Sequence, residues 1–133
     1  MNVKEIMHSI MRLPHDSTVA EIASAMDNKL TGSVLLEEAG EVVGIVTERD
    51  ILRKVVAKKK NPSEIKGHEI ASSPLITVDA GSPLDEASSR MHQNNIRRIL
   101  ITENEKVVGK LTANAILKNA RYLTAKSMFR NRG

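Results

Sequence analysis

Hydrophobic and polar positions follow one pattern that occurs twice along the chain. A shift of 65 residues aligns residues 17–53 with residues 82–118 without a gap, and twelve of the 37 aligned positions carry the same residue. Chains of average composition agree by chance at roughly one position in fifteen to twenty. The two stretches are therefore copies of one unit, and such a repeat decides the architecture.

Each copy opens with a predicted helix. In the first copy, apolar residues recur at helical spacing over residues 19–26, and Thr18 with Glu21 forms the capping-box pattern that starts a helix. In the second copy, we expect the equivalent helix to open at Ser82, with Pro83 in its first turn.

Two short strands and a second helix complete each copy. Runs of β-favouring residues predict strands at 33–36 and 41–47 around a turn at 38–40, and at 98–102 and 106–112 around a turn at 103–105. The second helices carry apolar faces, formed by Ile51, Leu52, Val55 and Val56 in the first copy and by Ile116, Leu117 and Ala120 in the second. Short extended pieces precede the copies at 11–13 and 75–78, so that the predicted unit is β-α-β-β-α.

The predicted fold is mixed α/β, of the α+β kind, with two β-α-β-β-α repeats. A unit of some 55 residues buries little apolar surface by itself. We therefore expect the repeats to pack sheet to sheet with pseudo-two-fold symmetry, and to form ligand clefts at their junction. The expected boundaries are a first repeat at 1–60, a linker at 61–68, a second repeat at 69–123 and a basic C-terminal tail at 124–133.

Composition narrows the classes of function. The 133 residues include no cysteine, which removes disulfide scaffolds, cysteine zinc sites and thiol nucleophiles. Aromatic residues make up 2%, so the chain lacks the aromatic platform on which single-stranded nucleic acid stacks. The apolar runs are too short to cross a bilayer, and Lys4 and Glu5 interrupt the start in a way that a secretory signal does not. We expect a cytoplasmic protein without a membrane partner.

The net charge of +4 is concentrated in the last 16 residues, which carry five basic residues and no acid. Without them, 15 basic and 16 acidic residues remain, so the body of the chain is close to neutral. A basic tail on a neutral body fits a solvated terminus. Contact with nucleic acid or an acidic partner is the alternative, which five dispersed charges favour less.

The segment from Gly44 to Asp50, GIVTERD, is the candidate for chemistry. It places Thr47 at the end of a strand and Asp50 three residues later, in the first turn of a helix. As a cap, the pair is a variant of the capping box with an acid at the positive helix end. As a ligand site, the pair can hold two neighbouring sugar hydroxyls, as acidic residues do in dinucleotide sites. The second copy keeps Thr112 but has Ala115, and both interpretations stay open.

Two copies of a unit whose first copy carries Gly-hydrophobic-x-Thr-x-x-Asp resemble the cystathionine β-synthase (CBS) domain, arranged as the pair called a Bateman module. The segments that carry the resemblance are VKEIM at 3–7, GIVTERDIL at 44–52 and GKLTANAIL at 109–117, and the likeness extends over about residues 1–123. It implies a regulatory module that binds an adenosine compound, namely AMP, ADP, ATP or S-adenosylmethionine. It also implies a homodimer formed through the helices.

The resemblance assigns the residues of one cleft. Thr47 and Asp50 match the pair that holds the ribose. Ile45 matches one wall of the adenine slot, and Ile76 from the other copy lies where the opposite wall is expected. Ala115 departs from the pattern, so the second cleft lacks the acid of the ribose-holding pair.

Basic residues are expected to face the phosphates. Arg97 and Arg98 match positions of this kind, with Ser33 as the first-copy equivalent. Adjacent guanidinium groups suit phosphate geometry. Neighbouring strand residues point to opposite faces, so one of the two arginines is expected to point outwards.

No other motif assembles a catalytic site, and we expect no enzyme. The histidines are scattered, at His8, His15, His68 and His92, and the chain has neither a phosphate-binding glycine loop nor a nucleophile elbow. Two alternatives to a nucleotide sensor stay open: a ligand-free dimeric interaction scaffold, and a nucleic-acid contact through the basic tail. A separate effector protein is a further partner to expect, because no effector domain is visible in the sequence.

Overall fold

Two three-stranded sheets with the same strand order form the framework of the computed structural model, which describes residues 1–72 and 75–119. The first sheet comprises β1 (Met11–Pro14), β2 (Ser33–Glu38) and β3 (Glu41–Thr47). The second comprises β4 (Thr77–Asp79), β5 (Arg98–Glu103) and β6 (Lys106–Thr112). In each sheet the first pair of strands is parallel and the second pair antiparallel. The predicted mixed α+β fold with a repeated unit is confirmed.

Helices make the crossovers that the parallel pairs require. Helix α1 (Val19–Lys29) connects β1 to β2, and helix α3 (Leu84–Gln93) connects β4 to β5. Helix α2 (Glu48–Ile51) follows β3 and continues as a π-helical stretch over Leu52–Val56. Helix α4, residues 113–119, follows β6. The predicted Ala120 and the basic tail lie outside the described residues.

The duplication extends to the irregularities of the sheets. The register of β2 against β3 shifts between Leu36 and Glu37, and that of β5 against β6 shifts 65 residues later, between Ile101 and Thr102. Both hairpins turn through two residues with positive φ, at Ala39 and Gly40 (52° and 80°) and at Asn104 and Glu105 (53° and 66°). This is the type I′ geometry that matches the twist of a hairpin, and the predicted turns are confirmed.

The two crossover helices start differently. At α1 the predicted capping box is present: the Glu21 amide donates to Thr18 Oγ1 at 3.1 Å, and the Thr18 amide donates to Glu21 Oε2 at 3.3 Å. The predicted opening of α3 at Ser82 is wrong by one residue. Pro83 is the N-cap, with an extended backbone (φ −72°, ψ 158°), and it occupies the position of Thr18 in the alignment. The N-cap backbone conformation is therefore the same in both copies, although the proline side chain cannot accept a hydrogen bond from the helix.

The chain forms two compact units that exchange short segments between the copies. Residues Ile10–Leu75 form the first-copy unit, whereas Met1–Ser9 group with the chain from Ile76 onward in the second-copy unit. Val3 is fully buried in the core of the second-copy unit, and His8 forms a two-way backbone bridge with Lys110. Ser72 forms the equivalent bridge with Ile45 in the first-copy unit. The boundaries expected along the sequence describe the copies rather than these units, and they stay a prediction.

Candidate functional site

The GIVTERD segment folds into a tight corner where β3 ends and α2 begins. Thr47 has an extended backbone (φ −113°, ψ 163°), and its Oγ1 accepts a hydrogen bond from the Asp50 amide at 3.3 Å. Asp50 Oδ2 in turn accepts from the Thr47 amide at 2.9 Å and from Thr47 Oγ1 at 3.1 Å. The capping interpretation of this pair is therefore confirmed as geometry.

Two further donors reach the other oxygen of the Asp50 carboxylate. Ser72 Oγ donates to Asp50 Oδ1 at 3.3 Å, and Lys54 Nζ lies 3.1 Å from the same oxygen. Lys54 Nζ also donates to the carbonyl of Ile70 at 2.9 Å, which ties residues 70–72 to the helix. Asp50 is only 8% exposed, so this carboxylate is a nearly buried charge with an ion-pair partner.

The second copy shows what the corner needs for folding alone. There Thr112 Oγ1 accepts from the Ala115 amide at 3.1 Å, and α4 begins without an acid. Asn119, which stands where Lys54 stands, donates from its side chain to the Ala115 carbonyl at 2.8 Å. As expected from the sequence, a threonine is sufficient to start this helix. The Asp50 carboxylate in the first copy therefore makes contacts that the start of the helix does not require.

The first-copy unit brings two further predicted residues, Ser33 and Ile45, to this corner. Ser33 is directly opposite Thr47 in the β2–β3 register, and it is fully buried. Ile45 precedes Thr47 by two residues and is half-buried, so both side chains lie on the same face of β3. Ser33, Ile45, Thr47 and Asp50 therefore form one local cluster, which we call the Thr47 corner.

The remaining predicted residues belong to the second-copy unit. Ile76 is half-buried immediately before β4, and its carbonyl accepts from the Leu100 amide at 3.1 Å. Arg97 is exposed just before β5, whereas Arg98 is half-buried as the first residue of that strand. The two arginines thus differ in exposure, with Arg97 the more exposed of the two. Their contact with a ligand stays a prediction.

Sequence reasoning did not identify Lys54 and Ser72. Lys54 had a readable signal, because an acid followed four residues later by a lysine forms an ion pair on a helix. Ser72 had none, because it lies 22 residues from Asp50 and reaches it only through the backbone bridge to Ile45.

A second group of polar side chains lies at the hairpin end of the first sheet. The rings of His15 and His68 are 5.4 Å apart between centroids, and His15 Nε2 lies 3.7 Å from Glu38 Oε1. Together with Leu36, Val43 and Ala71, these residues line a cavity of about 320 Å³. Two of the four histidines that are scattered along the sequence are thus brought together. Within residues 1–72 and 75–119, no group of three or more histidine or acidic side chains is placed to hold a metal ion.

Within the described part of the chain, no helix combines the length and the apolar character that spanning a bilayer demands.

Comparison with known proteins gives a consistent result for both copies. The family model of the CBS domain matches residues 3–57 and, a second time, residues 67–122. An uncharacterized protein of Methanopyrus kandleri is 40% identical over 110 residues, which are 81% of this chain and 56% of that protein. The chain thus spans little more than half the length of this relative.

Solved structures share the fold closely. A conserved protein of Pyrococcus horikoshii superimposes with a TM-score of 0.84 at 30% identity, covering 90% of this chain and 92% of that one. A CBS domain protein of Pyrobaculum aerophilum in complex with AMP gives a TM-score of 0.78 at 28% identity, covering 86% of this chain and 89% of that one.

Proposed function

The chain belongs to the CBS domain family, and from this premise we propose that it is a non-enzymatic sensor that binds an adenine nucleotide at the Thr47 corner. A pair of CBS domains is a regulatory module. The proposal concerns which ligand this pair takes and which residues hold it.

The observation that carries the proposal is the Asp50 carboxylate. It is almost buried, it lies beside a threonine hydroxyl at the end of a strand, and the second copy folds the same corner without it. A carboxylate accepts hydrogen bonds from two adjacent hydroxyls, which is what the ribose of a nucleotide offers. The AMP complex of the Pyrobaculum aerophilum protein, which shares the fold, supports an adenosine ligand.

The other parts of the ligand have candidate partners. We propose that Ile45 and Ile76 contact the adenine, whose burial against apolar side chains contributes affinity. We assign the phosphates to Arg97 and Arg98, with Ser33 as the first-copy equivalent, because guanidinium groups bind phosphate oxygens in pairs. AMP, ADP, ATP and S-adenosylmethionine all carry the adenosine that Thr47 and Asp50 select for.

We expect one nucleotide per chain. The corner at Thr112 has Ala115 in place of the acid, so it offers the ribose one hydroxyl and no carboxylate. A charge-assisted hydrogen bond is roughly twice as strong as a neutral one, so the loss of the acid removes the dominant ribose contact.

A thermal-shift titration with AMP, ADP, ATP and S-adenosylmethionine tests the proposal. A ligand that binds the folded state raises the midpoint of thermal unfolding. At a ligand concentration of 100 times the Kd, the free energy of unfolding increases by about 2.7 kcal/mol. At least one of the four compounds should raise the midpoint in a concentration-dependent manner. If none does so at millimolar concentration, the chain is not a nucleotide sensor, and the ligand-free scaffold becomes the better description.

A further inference from the structure

The carboxylate of Asp50 already has a complete set of donors from the protein. We propose that Ser72 and Lys54 occupy the acceptor positions that a ribose diol takes over, so that nucleotide binding releases residues 70–72 from helix α2. This inference rests on the proposed function, and it adds the regulation of the same site.

The argument starts from the acceptor capacity of a carboxylate. Two oxygens provide about four lone-pair positions. At Asp50 these positions face four donors: the amide and the hydroxyl of Thr47 on Oδ2, and Ser72 Oγ and Lys54 Nζ on Oδ1. A diol that brings two more donors must therefore displace protein partners.

The partners on Oδ1 are the ones that can leave. The Thr47 donors belong to the same helical turn as Asp50, and the capping geometry fixes both of them. Ser72 Oγ lies at 3.3 Å, the longest distance among the donors to Oδ1, and its exposed side chain can turn to solvent. Lys54 Nζ is shared between Asp50 and the Ile70 carbonyl, so a lysine displaced from the carboxylate also leaves the position from which it holds residue 70.

The second copy is an internal control for a purely structural role. His8 takes the place of Ser72 there, and its backbone exchanges two hydrogen bonds with Lys110, both of 2.8 Å. The Ile45–Ser72 bridge in the first copy is longer, at 3.3 and 2.9 Å. The second copy thus docks its segment with the shorter bridge where Ala115 and Asn119 replace the acid and the lysine. In the first copy the bridge is longer, so the side-chain cluster supplements it, and loss of the cluster to a ligand loosens the docking of residues 70–72.

Removal of the competing donors tests the inference by titration calorimetry with AMP. Ser72→Ala vacates one acceptor position without changing the charge, and it should bind AMP about two- to tenfold more tightly than the wild type, the equivalent of one hydrogen bond. Lys54→Met should act in the same direction. Arg53→Gln removes a neighbouring positive charge on the same helix without touching Asp50. Its effect on AMP affinity therefore shows how much of the Lys54→Met result comes from a weaker general attraction of the phosphate.

Two further measurements separate competition from a change in folding. The increase in affinity that Ser72→Ala causes should be smaller for 2′-deoxy-AMP, because this nucleotide brings one hydroxyl fewer to the carboxylate. Hydrogen exchange of the wild type should speed up at the Ile45 and Ser72 amides when AMP is added, because these amides form the bridge that the ligand loosens.

The outcomes distinguish the two proposals. If the wild type binds none of the four adenosine compounds, the proposed function fails and this inference fails with it. If the wild type binds AMP but Ser72→Ala binds it equally or more weakly, the nucleotide site stands and the competition is refuted. Slower exchange at Ile45 and Ser72 with AMP would also overturn the release of residues 70–72.

Discussion

At the scale of single residues, the Thr47–Asp50 pair forms the cap, and the cap does not use both oxygens of the carboxylate. The capping bonds are present, and the same carboxylate also pairs with Lys54 and Ser72. A residue that caps a helix can therefore also be a binding group, because the cap engages one carboxylate oxygen and leaves the other to different partners.

Replacement of Asp50 by alanine separates binding from capping. If Asp50 holds the ribose, AMP affinity should fall about 10- to more than 1,000-fold, because one or two charge-assisted hydrogen bonds of about 1.5–3 kcal/mol each are lost. A cap alone is worth about 0.5–2 kcal/mol of stability and would leave the affinity unchanged. Titration calorimetry, with folding checked by circular dichroism, measures the difference. Full-strength binding by folded Asp50→Ala protein would show that another residue holds the ligand.

The converse change tests whether the motif is sufficient. Ala115→Asp combined with Asn119→Lys rebuilds the acid and its lysine in the second copy, where Thr112 already supplies the cap. We expect the double variant to raise the stoichiometry from one towards two nucleotides per chain, measured by calorimetry. Ala115→Asp alone is the comparison: where it folds, it should bind the second nucleotide at least as tightly because no lysine competes for its carboxylate, but a nearly buried carboxylate without its lysine should lower stability. A folded double variant that still binds one nucleotide would show that the corner needs more than these residues.

At the scale of elements, the hydrophobic pattern predicted the strands to within two residues, and the physical reason is their turns. Each hairpin is closed by two residues in a defined conformation, so little freedom remains for the register. The start of α3 was misplaced because proline at a first helical position and proline at an N-cap look alike in a sequence.

The contacts between residues that are distant in the sequence could not be predicted from the hydrophobic pattern. The apolar pattern of Ile51, Leu52, Val55 and Val56 predicted one broad face, yet Val55 is fully buried while Leu52 and Val56 are 60% and 61% exposed. The π-helical turn from Leu52 alters the spacing on which the pattern is based. Ser72 reaches Asp50 only because a backbone bridge brings distant parts of the chain together.

A glycine in β6 determines how closely the N-terminal segment approaches the sheet. A Cβ at Gly109 would lie 2.7 Å from the His8 carbonyl oxygen and 3.0 Å from Met7 Sδ. Gly109→Ala should therefore weaken the His8–Lys110 bridge and lower the free energy of unfolding by about 1–3 kcal/mol. Urea denaturation measures the loss. Gly81→Ala is the matched control, because its nearest neighbour is the Asp79 side chain at 3.3 Å, and an equal loss there would contradict the explanation.

At the scale of the whole molecule, the 48–56 helix exposes two large apolar side chains. Leu52 and Val56 lie one helical turn apart and are mostly exposed, so together they form an apolar patch of the kind that marks a protein–protein contact. We expect a homodimer, because a symmetric contact buries the same residues of both chains at once.

Charges at these positions should dissociate the dimer. We expect Leu52→Glu/Val56→Glu to sediment as a monomer and the wild type at twice its chain mass of 14.6 kDa, at tens of micromolar protein. Leu30→Glu is the control, since Leu30 is 92% exposed and lies outside this helix. A wild type that sediments as a monomer would refute the dimer.

The exchange of segments between the copies has a consequence for how the chain is made. Residues 2–8 are synthesised before β6, yet Val3 and His8 find their partners only in the unit that contains Ser82 and Lys110. Contacts with such a large sequence separation form slowly, because a long loop must close before they are gained. During translation this segment therefore stays unprotected until about a hundred further residues have been added. A ribosome-bound chain halted within the first copy would expose the backbone edge of β3 and, separately, the side chains of Val3, Ile6 and Met7 without the core that they pack against, a form that chaperones would be suited to bind.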